Sequence, residues 1–361
     1  MYSSLQEFEK AINSNNFSIH DRNSLISKTN RSALMSYLQS AKDITAEIIS
    51  DKKDLEFQKT DKFGNTKLMY LCAFNKNLIN FKLIKLLNTD IGCQNNKGVT
   101  ALMYLCSESY FNLSSLNIFN VEMRKYDIYG MTALMYYSRT IHPTRKVLFQ
   151  LSQELELRDN LGQTALMHYC STIKKDLRPT YLEHIATIFR NEIGKACNAG
   201  RTALMRYVLN EEVSIDVIKM LSVEIGMRDN YGNTALMLYL FNSTNPRISI
   251  IEALKNEILI KNYNEISPLR IAENKYLFSN QYQYKDVIDF IDRYMAIERM
   301  KQNKPFPSIQ KHEMIVQKKI RPILPIEIKP NRLFNKNEYD ISNHILRSSR
   351  HIGIIKNYRT Y

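Results

Sequence analysis

Hydrophobic and polar positions along this chain recur in one pattern about every 33 residues. A block of the type GxTALMxYx opens each unit, and most units continue with a segment whose apolar residues stand three and four positions apart. That spacing is typical of helices that bury one face. We therefore predict two helices in each unit, joined by a loop. The blocks lie at 30–38, 64–72, 98–106, 130–138, 162–170, 200–208, 232–240 and, in degraded form, 264–272.

The second helices are predicted from apolar segments such as 80–87, 144–151, 214–221 and 247–254. The step between blocks is 32 to 34 residues except for one of 38, which places an insertion at 171–180, in the loop between two helices. A fixed period of this size indicates a stacked repeat array. With 361 residues, 44% of them hydrophobic, the chain is long enough for such an array and its core. The predicted fold class is all-α.

Glycine follows the same period. Six of the ten glycines stand two residues before the Thr of the pattern D-x-x-G-x-T, where a tight turn needs backbone angles that other residues resist. The Thr is predicted to cap the first helix, because its hydroxyl can accept a backbone N–H group at the start of that helix. These glycines are Gly64, Gly98, Gly130, Gly162, Gly200 and Gly232.

A turn followed by two helices, with the signature D-x-x-G-x-T-A-L, resembles the ankyrin repeat over roughly residues 30–275. The resemblance implies an L-shaped solenoid that binds other proteins through its concave face and its turn tips. The chain departs from the family pattern T-P-L-H, because Ala stands in place of Pro and Met in place of His in six blocks. We expect the methionines to fill the place of the histidine by packing alone.

Charge divides the chain into an almost balanced array and a basic tail. The net charge is +14, and residues 301–361 hold 13 Lys and Arg against 4 Asp and Glu, which is +9. The array is predicted to span 30–300 in about eight repeats and to end in a more polar helix at 285–300. Residues 1–29 are predicted to form an N-terminal capping region with a helix over 3–13, since the terminal units of an array must be modified.

The predicted binding site is a row of turn tips. Stacked repeats would set the residues on either side of each turn glycine in a line, and several of them are aromatic, the residue type that often dominates interface energy. Alternatively, neighbouring tips pack on one another and only hold the repeats together. The predicted contact residues are Phe63, Tyr129, Leu161, Tyr231 and Tyr263, with Tyr263 placed before Asn264, and Met131, Gln163, Arg201 and Asn233 after the glycines.

The tail is predicted either to pack along the array or to bind an anionic or apolar surface. Its candidate contact residues for an anionic partner are Lys318, Lys319, Arg321, Lys329, Arg332, Arg347 and Arg350. The string KKIR at 318–321 is similar to a nuclear-import signal.

Motifs of catalysis and metal binding are missing from the sequence. It contains no GxxxxGK[ST], GxSxG or HExxH, and its five cysteines include no CxxC pair. We expect His168 to be a surface histidine, the cysteines to be small core residues in a reducing compartment, and the acidic residues to be explained by solvation and helix capping. No metal or cofactor is expected. With no apolar run of membrane length and no secretory leader, we expect a cytoplasmic protein, with the nucleus as the other compartment considered.

Three functions remain open on this basis. The first is a non-enzymatic adaptor or scaffold that binds a protein partner through the repeat array as a monomer. The second is a structural subunit of a large complex, such as one that contains RNA, anchored by the basic tail. The third is an enzyme with a site in the tail or in the insertion at 171–180, which the absence of catalytic motifs disfavours.

Overall fold

The structure is a computed structural model, and it describes residues 33–40, 44, 46–52, 60–75, 79–107, 113–172, 179–278 and 281–301. Over these residues the protein is all-α, as predicted: helices form the regular structure, and the β-structure is an isolated bridge between Thr60 and Thr66. The predicted helix over 3–13 and the tail residues 302–361 lie outside the described residues.

The described helices alternate between first and second helices as the hydrophobic pattern predicts, except that the 3-10 helix Leu113–Glu122 takes the place of a second helix between Ala101–Cys106 and Ala133–Ser138. In chain order they are α1 (Ala33–Ser40), α2 (Ala46–Lys52), α3 (Lys67–Phe74), α4 (Phe81–Leu86), α5 (Ala101–Cys106), α6 (Ala133–Ser138), α7 (Arg145–Gln150), α8 (Ala165–Cys170), α9 (Pro179–Thr187), α10 (Ala203–Tyr207), α11 (Ile215–Met220), α12 (Ala235–Asn242), α13 (Ile248–Ala253), α14 (Pro268–Phe278) and α15 (Tyr284–Lys301). Short 3-10 helices lie at Asn88–Asp90, Leu113–Glu122, Ser152–Glu154, Arg190–Glu192, Ser222–Glu224 and Lys255–Glu257.

The chain divides into two compact units, Met1–Asp289 and Phe290–Tyr361, with the boundary inside α15. In the first unit, the first helix of each repeat packs against the first helix of the next, in the order α1, α3, α5, α6, α8, α10, α12 and α14. Second helices follow the same rule where α2 meets α4, α9 meets α11 and α11 meets α13. Each repeat therefore buries its apolar surface against its neighbours in the chain.

The first helices form the core, and every residue of α5, α6 and α8 is buried. Among them, a recurring tyrosine joins the two helices of a repeat. The hydroxyl of Tyr137 accepts the backbone N–H of Thr144 at 2.9 Å, and the hydroxyl of Tyr207 accepts that of Ser214 at 2.7 Å. Thr144 and Ser214 are the N-cap residues of α7 and α11, so each tyrosine satisfies an N–H group that the helix itself cannot bond.

The Thr and Met that recur in most blocks form hydrogen bonds at the start of first helices such as α3 and α5. The hydroxyl of Thr100 accepts the backbone N–H of Met103 at 3.2 Å, which is the predicted cap. The Met103 sulfur in turn lies 3.5 Å from the backbone nitrogen of Thr100 and accepts its N–H group. Our expectation that methionine acts by packing alone is therefore wrong at this cap, because a thioether sulfur is a weak acceptor.

No helix in the described part of the chain has both the length and the hydropathy that a membrane crossing requires.

Candidate interaction surface: the row of turns

Six of the seven described turns are held by the Asp or Asn side chain of their first residue, and the turn that starts at Cys197 has a thiol in that place. In the turn that starts at Asp127, the Oδ1 atom accepts the backbone N–H groups of Tyr129 at 2.9 Å and of Met131 at 2.8 Å. Gly130 has a φ of 76°, which favours glycine over residues with a Cβ atom. The same pair of bonds recurs in the turns that start at Asp61, Asn95, Asp159, Asp229 and Asn262.

Backbone bonds join consecutive turns. The second residue of one turn donates its N–H group to the carbonyl oxygen of the third residue of the previous turn, as from Asn160 to Tyr129 at 2.9 Å. The Asn160 amide also donates to the carbonyl of Ile128 at 2.9 Å. A Cβ atom on Gly130 would lie 2.7 Å from the backbone nitrogen of Asn160, so the close approach of the next turn also requires glycine. The turns thus form a continuous row.

The last turn corrects the predicted position of Tyr263. Its backbone nitrogen donates to the carbonyl of Tyr231 at 3.1 Å, which is the bond that a second residue makes. Glu265 has a φ of 60° and takes the place of the glycine, so Asn264 is the residue before it. Tyr263 is therefore not the counterpart of Tyr231. The error came from aligning Asn264 with the glycines, although Glu265 carries the left-handed backbone angle.

The structure exposes the predicted tip residues to different degrees. Tyr231 is 58% exposed and Tyr263 is 66% exposed, and the bond between them makes them neighbours. Phe63, Tyr129 and Leu161 are half-buried. The exposed aromatic side chains of the row are thus concentrated at its last two turns, with Ile128 as a further exposed apolar residue, 52% exposed, at the second position of an earlier turn.

The four predicted contact residues that follow the glycines are buried, and their assignment to an exposed contact surface is wrong. Two of them, Asn233 and Arg201, face the first residue of the following turn. The amide of Asn262 donates to Oδ1 of Asn233 at 3.0 Å, and the Nε atom of Arg201 lies 3.8 Å from Oδ2 of Asp229. The next repeat covers these two positions, which no single repeat reveals. The four buried residues are Met131, Gln163, Arg201 and Asn233.

In two repeats the fourth residue of the first helix forms a hydrogen bond with the first residue of the turn that precedes that helix. Tyr136 donates its hydroxyl to Oδ2 of Asp127 at 2.7 Å, and Nε2 of His168 bonds Oδ2 of Asp159 at 2.9 Å. His168 is 4% exposed, so our expectation of a surface histidine is wrong. Burial lowers the pKa of His168, and its bond to Asp159 raises the pKa by less. Tyr136 makes the same hydrogen bond to Asp127 in the preceding repeat. The Asp159–His168 pair therefore serves to hold the first helix to its turn.

A row of buried glutamates joins consecutive repeats from inside. The carboxylate of Glu224 accepts the N–H of Leu204, in the first turn of α10, at 2.6 Å, and the N–H of Gly194, in the preceding repeat, at 2.8 Å. One carboxylate therefore caps a helix and ties it to the repeat before it. The same two kinds of bond are made by Glu122, Glu154, Glu192 and Glu257.

Burial dominates the electrostatics of this row. It raises the pKa of the Glu224 carboxyl, whereas the N–H groups of Gly194 and Leu204 and the hydroxyl of Thr202 lower the pKa by less. The other four glutamates are raised for the same reason. We expected solvation and helix capping to explain the acidic residues; for these five, solvation is wrong and capping is confirmed, because each accepts an N–H group in the first turn of a helix. Their recurrence with the period of the repeat was a signal in the sequence, and at Glu192 and Glu224 a glycine with a left-handed backbone angle follows two residues later.

The tail residues from Lys318 to Arg350 lie outside the described residues. Within the described ranges, no three or more His, Cys, Asp or Glu side chains are grouped so that they could hold a metal ion. The cysteines Cys72, Cys106 and Cys170 are buried in the first helices.

No protein-family model matches this chain, and no curated protein matches it either.

Proposed function

We propose that this protein is a non-enzymatic adaptor whose repeats are divergent ankyrin-type repeats, stacked as a solenoid, and that it binds a protein partner through the row of turns. The observation that carries the proposal is the contrast within each turn. Its inner residues repeat the same backbone hydrogen bonds, and Asn recurs at the second position in four of the seven described turns, whereas the third residue changes between Phe, Lys, Tyr, Leu, Ala and Asn. A constant framework that presents variable side chains suits the recognition of another protein.

Burial supports the turns as the contact surface. The side chains of α5, α6 and α8 are covered, so these first helices offer a partner little surface in the described structure. Tyr231 and Tyr263 instead expose more than half of their area at adjacent turns. Aromatic side chains of this kind bring a large contact area with few rotatable bonds, and they are enriched among the residues that dominate binding energy.

The test is affinity capture with the full chain as bait. The variant Tyr231→Ala with Tyr263→Ala removes the exposed rings of the row. A matched control, Phe149→Ala with Val223→Ala, removes two equally exposed apolar side chains that lie outside the turns. We expect the wild type and the control to retain the same protein partner and the turn variant to lose it. Equal retention by all three would refute the turns as the contact surface, and no retained protein at all would refute the adaptor.

A second candidate function follows from the +9 charge of residues 301–361. A structural subunit anchored by this tail to a nucleic acid would bind with an affinity that falls steeply as the salt concentration rises. In the full chain, Lys318→Gln, Lys319→Gln and Arg321→Gln should then weaken binding to RNA and reduce its salt dependence. An unchanged affinity would refute this role of the tail.

A further inference from the structure

The row of turns carries basic residues in a regular arrangement. Each described turn, from the one at Asp61 to the one at Asn262, has a Lys or Arg within two residues of its first residue. Four of these side chains are exposed and three are half-buried. The exposed ones are Lys62, Arg158, Arg228 and Lys261, and the half-buried ones are Lys97, Lys125 and Lys195.

The acidic residues of the same turns face inward. Asp61, Asp127, Asp159 and Asp229 are buried and accept the N–H groups of their own turns. Two exposed acids lie at the described part of this surface, and each pairs with one of its lysines: Glu265 with Lys261 at 3.0 Å and Glu156 with Lys195 at 2.9 Å. The outer surface of the row is therefore positive, although the buried aspartates beneath it reduce its potential.

Apolar side chains stand between these charges. Tyr126 and Ile128 are exposed beside Lys125, and Tyr231 and Tyr263 are exposed beside Arg228 and Lys261. Cations and exposed apolar groups thus lie side by side at the turns that start at Asp127, Asp229 and Asn262.

At least one of the cations has a fixed orientation. One guanidinium nitrogen of Arg158 donates to the carbonyl oxygens of Gly162 at 2.9 Å and of Ala196 at 2.6 Å. An arginine has five N–H donors in a rigid fork, so the other nitrogens of Arg158 remain in position for a carboxylate. Holding the side chain in place before binding lowers the entropy that binding must remove.

We infer that the row of turns binds an extended acidic segment of a partner protein, one in which carboxylates alternate with apolar side chains. The inference rests on the proposed adaptor function and names the chemistry of its partner. Arginine and lysine recognise the carboxylates, and Tyr231, Tyr263 and Ile128 contact the apolar residues between them.

A nucleic acid fits this surface less well. Its binding is dominated by phosphates, which favour an unbroken cationic track. Here the four buried aspartates lie under the row, and an aliphatic side chain such as Ile128 offers neither charge nor a ring on which a base can stack. A polypeptide segment with alternating acidic and apolar residues complements both features.

The test measures binding of defined probes to the full chain by fluorescence anisotropy. The probes are a synthetic peptide with alternating Glu and Leu or Tyr residues, the same peptide with Lys in place of Glu, and a single-stranded RNA of equal charge. The turn variant is Arg228→Glu with Lys261→Glu. The control variant, Lys219→Glu with Lys255→Glu, changes the net charge equally at exposed side chains of the neighbouring helices.

We expect the acidic peptide to bind, its Lys counterpart to fail, and the turn variant to lose about tenfold or more in affinity, while the control loses less than about twofold. Equal losses in both variants would overturn the inference, because net charge alone would then explain binding. Tighter binding of RNA than of the acidic peptide would overturn it in favour of a nucleic-acid surface.

The adaptor and the acidic-segment inference fail in different ways. If a captured partner depends on Tyr231 and Tyr263 but binds the charge-reversed turn variant normally, the adaptor stands and the acidic chemistry is wrong. If neither the captured partner nor the peptide depends on the turns, both are wrong. Melting temperatures of all variants show whether a loss of binding reflects unfolding instead.

Discussion

Replacing one buried glutamate by glutamine should destabilise two repeats at once. In Glu224→Gln the size of the side chain is kept, but one of its two acceptor oxygens becomes an NH2 group. Both oxygens are in use, since one accepts from Gly194 at 2.8 Å and the other from Leu204 at 2.6 Å. Whichever way the amide is turned, one backbone N–H group faces a donor.

The expected magnitude follows from these bonds. A buried donor left without an acceptor costs about 1–3 kcal/mol, and the facing NH2 group adds repulsion, so we expect a loss of about 2–4 kcal/mol in the free energy of unfolding. The control Glu252→Gln changes an exposed carboxylate on α13 and should stay within about 0.5 kcal/mol of the wild type.

The effect should also depend on pH with a definite sign. Burial raises the pKa of Glu224 above its ordinary value of 4.5. The protonated carboxyl therefore contributes stability that is fully present below pH 4.5 and is lost as the pH rises through the folded-state pKa. Glutamine does not titrate, so the advantage of the wild type over Glu224→Gln should be larger at pH 5 than at pH 7.5.

Urea denaturation at both pH values measures the change, and native-state hydrogen exchange locates it at the amides of Gly194 and Leu204. Exchange is needed because repeat arrays can unfold in parts. A variant as stable as the wild type, or one whose Leu204 amide keeps its full protection, would refute the view that the carboxylate joins the two repeats.

Three further outcomes are expected. Gly130→Ala should lower the melting temperature more than Gly194→Ala. Both glycines have a positive φ, but only Gly130 is crowded by the next turn, because the backbone nitrogen of Asn160 would lie 2.7 Å from an added Cβ atom. Equal shifts in melting temperature would contradict the close approach of the turns. Tyr207→Phe should cost about 1–3 kcal/mol in urea unfolding, because the N–H at the start of α11 loses its acceptor, and an unchanged midpoint would show that water replaces the hydroxyl. Burial lowers the pKa of His168 below 6.5, so its neutral form contributes stability that is present above pH 6.5 and lost as the pH falls through the folded-state pKa. The free energy of unfolding of the wild type should therefore fall relative to that of His168→Gln between pH 7.5 and pH 5. Parallel pH profiles of the two proteins would refute this expectation.

Local patterns in the sequence determined the helices and the turns. The spacing of apolar residues predicted the segment 214–221 as a helix, and α11 spans Ile215–Met220. The glycine of each turn was predicted from the need for a left-handed backbone angle, and Gly130 adopts one. These features depend on residues within a few positions of one another, so a single repeat contains all the information they need.

The contact surface could be predicted only in part. The third position of each turn was recognised as variable, and Tyr231 is exposed there. Arg201 and Asn233 were placed on the surface but are buried, because the first residue of the following turn faces the residue after each of these glycines. Tyr263 was assigned to the wrong position because a degraded turn has lost the glycine that marks the register.

Only the tertiary structure decided what the glutamates do. Glu224 bonds Leu204 and Gly194, which lie 20 and 30 residues away in the chain. The sequence determined that a glutamate recurs with the period of the repeat, but not that it is buried. Its burial and its partners arise because stacking brings the N-terminus of one helix and the turn of the preceding repeat to the same carboxylate, and that meeting depends on how neighbouring repeats pack.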